Sequence, residues 1–295
     1  MRASKPTKGL LAIAICFLAL AGSAPMPASP AAAASGKAAK KPPAKLPSNE
    51  VCLGCHGIEG FAMPGADGKM RSLHVKKNRF GSSVHGKRLC VECHKDITEI
   101  PHKAGVTHKV SCVTCHQALW ETAKDEGTTK ESERLGVVVQ QIERYMKSIH
   151  ARPSAEDQSR TNATCYNCHD AHYVYTAGSP ERTEWRLDVP NKCGACHVAE
   201  RKAYATSVHG KLVLEDKFPY TAICSDCHTT HSVEDPALDQ TRVVITKNCG
   251  NCHQDNLKTY TKTYHGQVNT LGYGYTAKCF DCHGCHAIQR VSDPK

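Results

Sequence analysis

Eighteen cysteines and eighteen histidines dominate the reactive side chains of this 295-residue chain. Most of them fall into one spacing, Cys-x-x-Cys-His, which occurs eight times without overlap. In chain order the motifs are Cys52, Cys55, His56 (motif 1); Cys90, Cys93, His94 (motif 2); Cys112, Cys115, His116 (motif 3); Cys165, Cys168, His169 (motif 4); Cys193, Cys196, His197 (motif 5); Cys224, Cys227, His228 (motif 6); Cys249, Cys252, His253 (motif 7); and Cys279, Cys282, His283 (motif 8). Two thiols separated by two residues reach the two vinyl groups of one haem and form thioethers, and the adjacent histidine then lies under the iron as proximal ligand. Zinc ribbons also use C-x2-C pairs, but tetrahedral zinc does not require a histidine after every second cysteine. A disulfide framework does not require it either. The expectation is eight covalently bound haem c groups. They use all the cysteines except Cys16 and Cys285. The run Cys282-His283-Gly284-Cys285-His286 contains an overlapping copy of the motif. One cysteine cannot serve two haems in the usual way, so Cys279 and Cys282 are assigned to the haem, and Cys285 is a free thiol or the occupant of a variable position.

Ten histidines remain: His74, His85, His102, His108, His150, His172, His209, His231, His265 and His286. A low-spin electron-transfer haem takes a second axial ligand, usually His or Met. Five methionines, two of them near the N-terminus, cannot serve eight sites. Two patterns select among the histidines. Ser83-Val-His85-Gly recurs as Ser207-Val-His209-Gly, with looser copies at Ser148-Ile-His150 and Thr263-Tyr-His265-Gly. Cys-His-x-x-His brings His172, His231 and His286. With His102, which follows motif 2, these give eight expected distal ligands: His85, His102, His150, His172, His209, His231, His265 and His286. His74 and His108 are left as ordinary histidines.

Geometry limits which haem each one serves. Residues three apart lie on one face of a helical turn, so His172 cannot clasp the haem of His169 and must reach a neighbour. The same holds for His231 and His286. The stretch from His197 to His209 is rich in helix formers and lacks Pro and Gly. As one helix it separates its two histidines by about 18 Å, so His209 also serves another haem, and His265 likewise. Motif 1 has no histidine before it, so its distal ligand must come from far along the chain. If any haem is open, motif 1 is the candidate.

The elements that must position these ligands are short. No long alternating pattern marks a strand. The fold class expected is mainly α, with much irregular chain and almost no β-sheet, as short helices wrapped around a stacked array of eight c-type haems. Residues 1–34 read as a signal peptide: a basic start at Arg2, Lys5 and Lys8, an apolar run too short to span a bilayer, and small residues before Ser35. Residues 35–48 are a Lys/Pro-rich linker. Residues 49–135 hold three motifs and a charged insertion over 121–134. Residues 136–295 open on an amphipathic helix and hold five motifs, with the His150, His209 and His265 positions recurring every 56–59 residues. Trp120 and Trp185 are expected to pack rather than relay electrons.

Aromatic residues make up only 6% of the chain, so a side-chain core would be thin. The formal net charge of +10 falls to about +7 once the three leader cations are set aside, and haem propionates offset the rest. Basicity is therefore no argument for nucleic acid, and membrane contact is expected to be peripheral at most.

From about Asn49 to Ile288 the chain resembles the multihaem cytochrome c superfamily, which includes cytochrome c3-like and NapC/NirT-related electron carriers. The resemblance rests on the eight motifs, Ser-Val-His-Gly at 83–86 and 207–210, and Cys-His-x-x-His at 169, 228 and 283. It implies bis-His haems in an overlapping wire and a role in anaerobic respiration. The expected role is a periplasmic or cell-surface electron carrier without substrate turnover. Its partners would be redox proteins: a membrane quinol dehydrogenase upstream, and a terminal reductase, cytochrome or outer-membrane conduit downstream. The alternative is a reductase of a small nitrogen or sulfur compound at one open-faced haem.

Overall fold

The computed structural model describes residues 46–65, 67–102 and 110–292. The signal-peptide segment, most of the linker and His108 lie outside them. The described chain is mainly helical with much irregular backbone, and its single sheet has two strands. In order come α1 (Asn49–His56), β1 (Ala62–Pro64), β2 (Met70–Ser72), α2 (Lys77–Ser82), α3 (Cys90–Cys93), α4 (Cys112–Asp125), α5 (Glu133–Lys147) and α6 (Cys165–Cys168). Then follow α7 (Pro180–Gly194), α8 (Val198–Thr206), α9 (Val208–Leu214), α10 (Cys224–His228), α11 (Asp239–Cys249), α12 (Gln254–Tyr260), α13 (Tyr264–Thr270) and α14 (Cys279–His283). No described helix is long and apolar enough to cross a membrane.

The Cys-x-x-Cys-His motifs fold in two ways. The even-numbered ones form the short helices α3, α6, α10 and α14. Each starts with a cap from inside the motif, because the residue before the second cysteine turns back onto the chain. Glu92, Asn167, Asp226 and Asp281 accept from the backbone N–H groups of Leu89, Thr164, Ile223 and Lys278 at 2.7–2.9 Å. The odd motifs depend on longer helices. Motif 1 lies in α1, motif 3 opens α4 behind the N-cap Ser111, and motifs 5 and 7 continue from the ends of α7 and α11.

One expectation of continuous helix does not hold. The stretch between His197 and His209 breaks at Ser207, whose backbone is extended at φ −73°, ψ 161°. The Ser207 hydroxyl accepts from Gly210 N–H at 2.9 Å and starts α9. Thr263 does the same for Gly266 at the start of α13. Helix formers on both sides cannot outweigh a cap that begins a second helix.

A repeated clasp ties the chain to itself. The N–H of Val84 donates to Val174 O, that of Ile149 to Val233 O and that of Val208 to Ile288 O, at 2.8–2.9 Å. Each donor immediately precedes a distal-type histidine, and each acceptor lies two residues past the second histidine of Cys-His-x-x-His. The phenols of Tyr145, Tyr204 and Tyr260 donate to Ala163 O, Ala222 O and Ala277 O at 2.6–2.8 Å. The Arg79–Glu184 ion pair and the Val84–Val174 bond join the early part of the chain to the later part, and residues from Lys45 onward form one compact unit.

The apolar core is small. Among the described residues only ten hydrophobic side chains are buried, and the central cluster is Val189, Tyr204, Val213 and Ile223. Trp120 packs against Gly136, where α4 meets α5. Trp185 stacks on the His169 ring with centroids 5.3 Å apart, and Arg182 covers it at 3.9 Å.

Candidate metal centres

Seven proximal-type histidines each face one distal-type histidine. The pairs are His56–His102 (6.0 Å between ring centroids), His94–His172 (6.1 Å), His116–His85 (6.1 Å) and His169–His231 (6.0 Å). The others are His197–His150 (6.3 Å), His228–His286 (5.9 Å) and His253–His209 (6.2 Å). Two imidazoles bound on opposite sides of one metal, with metal–nitrogen bonds of about 2.0 Å, put their centroids about 6 Å apart.

The pairing follows two interleaved series. Histidines of the Ser-x-His type face odd motifs: His85 faces motif 3, His150 motif 5 and His209 motif 7. The second histidine of each Cys-His-x-x-His faces the preceding even motif: His172 faces motif 2, His231 motif 4 and His286 motif 6. Motif 1, the candidate for an open face on sequence grounds, has His102 opposite His56. The departure is at the other end. Among the described residues no ring lies opposite His283, and His265 faces no proximal histidine. His74 faces none either, and Cys285 is exposed and unbridged.

The donor set suits iron. His56 Nδ1 lies 2.9 Å from Leu73 O and His85 Nδ1 lies 2.8 Å from Ala171 O. A carbonyl oxygen can only accept, so Nδ1 carries the hydrogen and Nε2 keeps its lone pair for a metal. His231 Nδ1 has Gln141 Oε1 at 3.0 Å in the same role. Burial also favours the neutral, ligating ring. It pushes His169 down to about 4 and lowers His94, His116, His150, His172, His209, His228 and His231.

No three His, Cys, Asp or Glu side chains converge on one point among the described residues. Each candidate centre therefore offers two nitrogens and needs its equatorial donors from elsewhere, as a porphyrin provides them. The chain matches no family model, no curated protein and no solved structure.

The cysteines give the order of the centres. The Cys52 and Cys90 thiols are near enough to perturb one another, as are Cys112 and Cys165, Cys193 and Cys224, and Cys249 and Cys279. These contacts join motifs 1–2, 3–4, 5–6 and 7–8. Closeness of Cys93 to Cys115, Cys168 to Cys193 and Cys227 to Cys252 joins the pairs to one another. Motifs adjacent in sequence are thus adjacent in space. None of the described cysteines is in a disulfide. Except for Cys227, the second cysteine of every motif is exposed, as a residue covered only by a bound group would be.

Sequence reading alone missed the residues that hold the distal rings. The tyrosine five positions before His150, His209 and His265, and the alanine two before the next motif, were both legible as repeats. Gln141 carried no such signal, because its bond to His231 spans 90 residues.

Proposed function

We propose that this chain is an octahaem c-type cytochrome that carries electrons along a row of haems. On the leader's character it works in the periplasm or at the cell surface. The observation that carries the reading is the set of seven opposed histidine pairs at 5.9–6.3 Å, each joining a Cys-x-x-Cys-His histidine to one from a different part of the chain. Bound haem supplies iron that cycles between the ferric and ferrous states. The chain's residues do the rest. The cysteines would anchor each haem, the paired histidines would ligate its iron, and the closeness of cysteines in successive motifs would bring neighbouring haems together. Bis-His ligation favours low potentials, which suits transfer from a membrane quinol dehydrogenase to a terminal reductase or outer-membrane conduit in anaerobic respiration.

A second reading has one observation in its favour. The unopposed His283 leaves motif 8 as the place where a small nitrogen or sulfur compound would meet iron. The test begins with the chain produced in a host that attaches haem c. Pyridine haemochrome should count eight haems per chain, and a potentiometric titration should run reversibly over several one-electron steps. Rapid oxidation of the reduced protein by nitrite, hydroxylamine, sulfite or tetrathionate, with multiple turnovers, would replace the carrier reading with the enzyme one.

A further inference from the structure

The arrangement that repeats three times along this chain begins a fourth time and stops halfway. In each complete instance a Ser-x-His segment is clasped by the segment after a Cys-His-x-x-His, its histidine faces an odd motif, and the Cys-His-x-x-His histidine faces an even one. The fourth instance starts at α13. Thr263 caps the helix, Gly266 lies so close to Tyr260 O that a Cβ would collide with it, and Tyr260 donates to Ala277 O at 2.8 Å. His265 is positioned by Thr276, with Nδ1 2.9 Å from Thr276 Oγ1. Yet no proximal ring faces His265 and no distal ring faces His283 among the described residues.

Nor does any described segment clasp α13 as the others are clasped. Val208 lies under the segment that ends in Ile288, and Gln289 continues the contact by donating to Thr206 O at 3.1 Å. At the matching place in α13, Tyr264 is 75% exposed, and Leu271 beyond it is 88% exposed. An open catalytic iron would account for His283 alone. It would not account for a positioned histidine with no proximal ring opposite it, beside the exposed Tyr264 and Leu271.

We propose that α13 and motif 8 form a junction for a further two-haem unit of the same repeat, one that lies outside these 295 residues. That unit presents an odd-type haem to His265 and returns a Cys-His-x-x-His histidine to the iron of motif 8. Its clasp segment covers Tyr264 and Leu271. The row of haems would thereby continue across the junction through two shared ligations. The proposal rests on the haem reading above. A second copy of this chain does not fit in the same register. The proximal histidines of its motifs 1–7 are already opposed, so only its own junction could respond, in a reciprocal pair.

The experiment uses the full chain with haem attached. Pyridine haemochrome comes first, and fewer than eight haems would count against the haem reading rather than the junction. With eight haems, low-temperature EPR of dilute ferric protein should show seven low-spin centres and one high-spin centre. Added imidazole should convert the high-spin centre alone. His265→Ala should leave the seven-to-one ratio unchanged. A haem peptide with one free axial position should bind the chain, and the variant should lose one bound equivalent. Eight low-spin haems in dilute monomer, or loss of a low-spin haem in His265→Ala, would overturn the junction. So would a high-spin signal that disappears on concentration as dimers form through His265, since the second copy would then be the occupant.

Discussion

On the proposed reading each distal-type ring has to be delivered to a haem from a distant part of the chain, and His172 illustrates what that requires. It sits three residues after His169, but the chain between them is extended and turned rather than helical as the spacing suggested, and its ring faces His94. His172→Ala should therefore change the haem of motif 2 and leave that of motif 4 intact. One of the low-spin signals in EPR should become high-spin, with the haem count unchanged. His172→Met should restore low spin at a higher potential, because a thioether stabilises the ferrous state relative to imidazole. Loss of the motif 4 signal instead would mean that the ring pairs do not describe the ligation.

Short helices with close contacts carry the ligands, and their stability sits in a few atoms. A Cβ at Gly210 would run into the carbonyl oxygen of Tyr204, the residue whose phenol also holds Ala222. Gly210→Ala should destabilise the chain by about 1–3 kcal/mol, typical of overpacking, and should displace His209 from its place opposite His253. Denaturant titration would measure the first effect and EPR the second. At motif 2, the Leu89 N–H and then Arg88 hold the Glu92 carboxylate below its ordinary range. A carboxylate with a lowered folded pKa contributes stability above its unfolded value of about 4.3, and that contribution disappears as the pH falls through the folded value. Glu92→Ala should cost about 0.5–1 kcal/mol at pH 7, the low end for a cap because the side chain is partly open to solvent. The difference from the unaltered chain should shrink below pH 4 in thermal melts. A gap that stays constant into acid would mean the carboxylate is not the stabilising partner.

At the scale of the whole molecule, ten buried hydrophobic side chains are too few to hold the described chain together. Haems packed between the histidine pairs would supply the missing interior and staple distant segments, as structural metals do for small domains. The chain made without haem attachment should lack cooperative thermal unfolding and be digested quickly by protease, whereas the haem-loaded chain should melt cooperatively. A stable, protease-resistant apoprotein would show that side-chain packing suffices.

Sequence spacing determined a good deal about this protein. Cys-x-x-Cys-His is local, and three side chains on one turn need nothing from the rest of the fold, so all eight motifs are legible without it. The short helices, the thin core and the repeat of His150, His209 and His265 are equally local or periodic. Some features could be read only as far as local rules reach. Helix formers between His197 and His209 suggested one helix, while the cap from Ser207 to Gly210 makes two. Pairing is a different matter, because ligands 31 to 78 residues apart meet only where the chain has already been folded back. Hence the sequence put His265, inside a repeat, ahead of His102, which lies outside both. Only the tertiary structure decides between them, by setting His102 against His56 while no described histidine ring lies opposite His265 or His283.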